Sequence, residues 1–139
     1  MPKHPTLDEL GPPDLKIAGF QLWVHNCDHE YWLNVTAHTG AMGASVWTSG
    51  SILMLSELAG LDEQCEALGK CEADEAWLGA IEPELKVTIK RTDQLGHFSM
   101  HVEITPDYLN QQHSFEIEID QTYVSEITRQ CRSIAARYP

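Results

Sequence analysis

Residues 84–120 carry the clearest structural signal in the chain, and their sequence is ELKVTIKRTDQLGHFSMHVEITPDYLNQQHSFEIEID. Apolar and polar side chains alternate in three runs of this segment, 84–90, 98–104 and 115–120, and turn-forming residues separate the runs. An alternation with a period of two is typical of strands that bury one face and expose the other. The segment therefore predicts three consecutive antiparallel strands with one solvated face.

The first half of the chain repeats this pattern. Alternation predicts strands at 15–24, where Gly19 marks a bulge or bend, and at 31–37 and 44–48, which a glycine-containing turn joins into a hairpin. An amphipathic helix is predicted after each group of strands, from about Ser56 to Gly69 and from about Thr122 to Arg137. The fold class is therefore α+β, with a largely antiparallel sheet of about six strands and two helices.

The two predicted helices share a pattern of inner residues. A constant offset of 66 residues relates the two sets, which are Leu58, Leu61, Gln64, Cys65 and Leu68, and Val124, Ile127, Gln130, Cys131 and Ile134. Because each helix also follows a group of strands, the pattern indicates a β-β-β-α unit that is used twice.

Length and composition define the class of protein. The 139 residues predict a single domain over 15–139, preceded by a proline-rich flexible arm over 1–14. The formal net charge of -12 argues against nucleic acid and anionic membranes as direct partners, because both are bound mainly by Lys and Arg. The first residues lack the basic and apolar regions of a signal peptide, so we expect a cytoplasmic protein with reduced cysteines.

The negative charge is concentrated in two places. Between positions 57 and 84 there are nine acidic residues and one basic residue, and a second group lies on the outward side of the last predicted strand. Such a surface can steer a basic partner, although it can also serve only to solubilise the protein. The candidate partner-binding residues are Asp62, Glu63, Glu66, Glu72, Asp74, Glu75, Glu116, Glu118 and Asp120.

Two alternatives remain open at this stage. The chain has no phosphate-binding loop, nucleophile elbow or zinc-protease motif, so we expect no catalysis and no cofactor. His25, Cys27 and His29 nevertheless offer zinc-type ligands, unless they belong to an ordinary polar turn. The second alternative is a self-associating domain, a homodimer, in which Trp23, Trp32 and Trp47 form the interface.

Several segments resemble one known family of small bacterial proteins, the WapI-type immunity proteins. The segments that carry the resemblance are 19–25, 32–37, 44–47, 49–50, 55–58, 82–85, 96–98 and 102–106. The resemblance extends over nearly the whole chain after Leu15, and its motifs contain no catalytic residues. It implies a non-catalytic binding protein that neutralises a basic toxin domain, in this family a nuclease.

Overall fold

Eight strands and three helices follow one another along the residues that the computed structural model describes, which are 7–41, 43–79 and 81–138. The first half contains α1 (Leu7–Leu10), β1 (Leu15–Ile17), β2 (Phe20–Cys27), β3 (Trp32–Ala41), β4 (Ala44–Met54) and α2 (Leu55–Gly69). The second half contains β5 (Glu75–Leu78), β6 (Leu85–Arg91), β7 (His97–Ile104), β8 (Ser114–Asp120) and α3 (Gln121–Ala135).

The strands form two antiparallel sheets rather than one. Sheet A has the order β1-β2-β3-β4 and sheet B the order β5-β6-β7-β8, so every strand pairs with its sequence neighbours. Adjacent antiparallel strands need only short connections, and the alternating runs of the sequence supply strands of the required length. The α+β fold class is confirmed, and the three strands predicted between 84 and 120 are all present.

The number of strands differs from the prediction, because about six were expected and the structure has eight. Gly19 does not mark a bulge. Ala18, with φ 52°, and Gly19 form a two-residue turn that pairs Ile17 with Phe20 and divides the predicted strand into β1 and β2. The other additional strand, β5, lies in a segment that the sequence left ambiguous. Strands of three and four residues are too short for alternation to identify.

A single hydrophobic core connects both sheets with α2 and α3. Each helix contributes its predicted stripe, and all four apolar stripe residues of each helix are buried. The repeated unit is confirmed in a longer form, with four strands before each helix where three were predicted. The two helices contact each other extensively, so the core is closed at their interface.

Each long helix packs against the sheet that the other half of the chain forms. Helix α2 follows sheet A along the chain but packs against β5 of sheet B, and α3 follows sheet B but packs against β1 of sheet A. In both cases the contacted strand is the first strand of its sheet and lies at an edge. An unprotected edge exposes unpaired backbone groups that can recruit another strand, and a helix can cover them.

Gln64 and Gln130, which we call the glutamine clamps, form hydrogen bonds with the backbone of these edge strands. The side-chain amide of Gln130 accepts a hydrogen bond from the Lys16 N–H at 2.8 Å and donates one to the Lys16 carbonyl at 3.1 Å. Gln64 does the same to Trp77, with distances of 3.1 Å and 3.3 Å. Each amide also donates to the carbonyl four residues before it in its own helix. A glutamine amide therefore takes the place of a neighbouring strand's peptide group.

The segment before β1 makes specific contacts with β2. The Asp14 N–H donates to the Leu22 carbonyl at 2.9 Å, and the Val24 N–H donates to Asp14 Oδ2 at 2.6 Å. Arg137 lies 3.4 Å from Asp14 Oδ1. Residues 1–6, which belong to the arm predicted over 1–14, lie outside the described residues.

Candidate functional site

The structure separates the predicted acidic residues into three environments. Asp62, Glu63 and Glu66 lie on α2, Glu72 and Asp74 lie in the connection to β5, and Glu75 begins β5. Glu116, Glu118 and Asp120 alternate along β8 and are all exposed. Many of these carboxylates have partners within the protein, and these partners decide which of them can serve as contacts for another molecule.

Asp62 and Glu66 connect the two long helices. Arg132 Nε donates to Asp62 Oδ2 at 3.0 Å, and another nitrogen of the same guanidinium lies 3.4 Å from Glu66 Oε1. The hydrogen bond that Arg132 donates to Asp62 raises the pKa of the guanidinium. Asp62 is mostly buried, and its Oδ1 has no partner among the described residues. Asp62 and Glu66 therefore contribute primarily to the α2–α3 interface.

The β8 carboxylates also have internal partners. Glu116 accepts a hydrogen bond from Ser99 Oγ at 3.1 Å and lies 3.3 Å from His101 Nδ1. Asp120 is the N-cap of α3, because its Oδ1 accepts from the Thr122 N–H at 3.0 Å. The sequence placed Asp120 on the outward stripe of the strand but did not identify it as a cap.

A histidine extends this acidic side of sheet B. His97 pairs with Asp120 across β7 and β8, and its Nδ1 lies 2.6 Å from Asp93 Oδ2. The hydrogen bond to the Asp93 carboxylate raises the pKa of His97, and the charges of Asp120 and Glu118 act in the same direction. The same bond lowers the pKa of the Asp93 carboxyl. This region therefore becomes more negative as His97 loses its proton.

The register shows how far apart the two acidic groups lie on the outer face of sheet B. One row across the four strands consists of Glu75, Lys90, Ser99 and Glu118. Glu75 and Glu118 thus lie at opposite edges, three strand spacings of about 4.8 Å apart. Lys90 lies between them and pairs with Glu75 at 3.7 Å. The structure places these acids on one face but does not merge them into one patch.

A groove lies beside the other group of acids, between α2 and β5. We call it the Trp77 groove; it has a volume of about 460 Å³, and its lining residues are Glu63, Gln64, Ala67, Ala73, Asp74, Glu75 and Trp77. Three of the predicted contact residues thus surround one aromatic side chain. The sequence analysis did not single out Trp77, although the alternation of Ala76 and Leu78 with Glu75 and Trp77 could have placed it on an outer face.

The residues of the predicted metal loop are not brought together. A register shift between Val24 and Asn26 places His25 outward, where its Nε2 lies 2.8 Å from Thr36 Oγ1. Cys27 instead packs against the core, and His29 lies beside Glu30 in an exposed turn. Across residues 7–41, 43–79 and 81–138, no three His, Cys, Asp or Glu side chains are grouped to hold a metal ion.

Two of the tryptophans considered for self-association stack on the outer face of sheet A. The ring centroids of Trp23 and Trp47 are 5.9 Å apart. Trp23 lies outside the main core but is only 3% exposed. Its indole N–H donates to the Gly11 carbonyl at 3.1 Å, so the segment before β1 covers it. Trp32 and Trp47 are half-buried. None of the three tryptophans is therefore among the exposed large side chains of the described residues.

The chain belongs to the immunity protein WapI-like family, whose model matches residues 13–139. The resemblance seen in the sequence is therefore confirmed, and the family points to a toxin-neutralising binding role that is not catalytic. No curated protein and no solved structure matches the chain. None of the described helices has the length and hydropathy needed to cross a bilayer.

Proposed function

We propose that this protein is a cytoplasmic immunity protein that binds a cationic toxin domain, a nuclease, and blocks it by occupying its basic surface. The observation that carries the proposal is the match to the immunity family over nearly the whole chain. The net charge of -12 supports the choice of a cationic partner. Nucleases bind a polyanion through Lys and Arg, so an acidic protein surface complements their substrate sites.

The exposed part of the acidic surface supports the same partner. The side-chain carboxylates of Glu63 and Glu72 form no ion pair or hydrogen bond in the described part of the chain. Glu118 and Asp74 are also exposed, which leaves them available to a positively charged partner. Complementary charge of this kind raises the association rate and makes it depend on salt.

The test needs the C-terminal domain of the toxin, which we expect to be part of a large protein encoded immediately upstream of this chain. We expect co-expression of the chain to protect cells from that domain, and calorimetry to show a one-to-one complex. The purified domain should cleave DNA or RNA, and the chain should inhibit the cleavage. A domain that kills cells whether or not the chain is present, and that forms no complex with it, would contradict the proposal.

Charge reversal tests the contact surface. The double variant Glu116→Lys with Glu118→Lys should slow association and reduce its salt dependence. The control is Glu30→Lys with Glu126→Lys, which changes the net charge equally at exposed positions in the β2–β3 turn and on α3. Equal association rates for the two double variants would remove β8 from the contact surface while leaving the immunity function in place.

A further inference from the structure

The Trp77 groove combines an exposed aromatic ring with carboxylates at one site. Trp77 is 47% exposed, although large aromatic side chains are normally covered in a single domain. Ala67 and Ala73 form an apolar lining next to it, and their small side chains leave the space open. Glu63, Asp74 and Glu75 complete the lining. An apolar body with a negative rim fits a ligand that has an apolar stem and a cationic head.

The backbone under the indole is held in place. Both the N–H and the carbonyl of Trp77 are hydrogen-bonded by the Gln64 amide, and on its other side β5 is paired with β6. Trp77 therefore has an anchored main chain and a side chain directed away from the core. Such an arrangement supplies a preorganised aromatic surface, which limits the entropy lost when a ligand binds.

Cations accompany two of the three groove carboxylates: Lys90 lies 3.7 Å from Glu75, and Arg91 pairs with Asp74. Arg91 pairs with Asp74 at 3.3 Å, but only 6% of the arginine side chain is exposed, whereas 88% of the Asp74 side chain is exposed. The Arg91 guanidinium is directed toward the carbonyls of Leu68 and Ala73, at 2.7 Å and 3.4 Å. Glu63 has no ion-pair partner within the described residues. A molecule approaching from solvent therefore meets Glu63 and Asp74 without a facing cation, whereas at Glu75 it competes with the exposed Lys90.

We propose that the Trp77 groove receives an arginine side chain of a basic protein partner, with the guanidinium over the indole and its N–H groups directed to the surrounding carboxylates. The planar, weakly hydrated guanidinium is suited to this site because it stacks on aromatic faces while it binds carboxylates. The inference rests on the proposed function, since it specifies how the cationic partner is recognised.

The test uses a nine-residue polyarginine peptide as the probe and nuclear magnetic resonance as the readout. The four tryptophans give four indole N–H signals. We expect the Trp77 signal to move and saturate as peptide is added, while the signal of the covered Trp23 stays in place. Trp77→Leu should weaken binding by roughly two- to five-fold, because the cation–π contact at a half-exposed ring is lost. This variant leaves the backbone bonds to Gln64 possible, and an unchanged urea midpoint would show that it folds.

A matched pair of variants separates a specific site from general attraction. Glu63→Gln with Glu75→Gln removes two charges at the groove, and Glu116→Gln with Glu118→Gln removes the same number on β8. The proposal requires the groove pair to weaken peptide binding several-fold more than the β8 pair. A stationary Trp77 signal, or an equal loss in both pairs, would overturn it. Neither result affects the proposed function, because toxin neutralisation is measured with the toxin domain itself.

Discussion

The glutamine clamps allow a stability prediction whose size follows from the contacts. Gln64→Ala and Gln130→Ala each remove two hydrogen bonds to the backbone of an edge strand. A typical hydrogen bond contributes about 0.5–1.5 kcal/mol net, which gives about 1–3 kcal/mol for each clamp. The bonded groups are near the surface, so water can replace part of the loss, and alanine is a better helix former than glutamine. We therefore expect each variant to lose about 1 kcal/mol.

The assay is urea unfolding followed by circular dichroism. Each single variant should have a lower midpoint and an unchanged slope, and should melt about 3–5 °C earlier for a domain of this size. Because the two clamps share no partner, the double variant should lose about 2 kcal/mol. The exposed Gln112, changed to alanine, is the control and should leave the midpoint unchanged.

A second readout examines the edges themselves. Without its clamp, the backbone of β1 or β5 is free to pair with another chain, so the clamp variants should associate more strongly with rising concentration in light scattering. A loss of less than about 0.3 kcal/mol in each single variant would contradict a stabilising role for the clamps, because even one typical hydrogen bond contributes about 0.5–1.5 kcal/mol. Destabilisation by Gln112→Ala of the same size as by Gln130→Ala would also refute it.

Three further predictions concern single residues. Asp93→Asn should lower the pKa of His97, measured by nuclear magnetic resonance. Because folding raises this pKa in the wild type, the His97–Asp93 pair stabilises the folded state at pH below about 6.5. This stabilisation is lost as pH rises through the pKa of His97 in the folded protein. Asp120→Ala should lower the unfolding free energy by about 1 kcal/mol in urea, since it removes the cap of α3. With a thiol reagent at pH 8, the exposed Cys71 should react promptly. Burial raises the pKa of Cys65 to about 12, so this thiol should react only after unfolding. Prompt reaction of Cys65 would contradict its burial.

Long periodic segments made much of the fold predictable. The strands β6, β7 and β8 alternate over seven or eight residues, so their faces could be assigned from sequence. The same holds for the inner stripes of α2 and α3. Strand β5 was missed because its signal covers only four residues, and β1 was predicted only as the first part of one strand over 15–24. Both are fixed by pairing with a neighbour and by a glutamine from a distant helix.

Only the acidic charge of the candidate site could be predicted from the sequence. The sequence located the acidic residues but not their partners: Arg132 binds Asp62 from 70 positions away, which no local pattern encodes. Likewise, alternation correctly placed Trp23 outside the main core, but the covering contact comes from Gly11. Trp77 was overlooked because its strand was not recognised. The groove beside Trp77 is formed by α2 and β5 together, so the proposed binding site could not be recognised from the β5 sequence alone.

The exchange of helices between the sheets has a consequence for how the protein unfolds. A fragment ending at Gly69 would keep four strands with α1 and α2. The edge strand β1 would nevertheless lack its glutamine clamp, and α2 would lack the strand β5 against which it packs. Each half therefore holds the part that completes the other, as in two chains that have swapped an arm. Because neither half can close its core alone, the molecule should lose its structure in a single cooperative step.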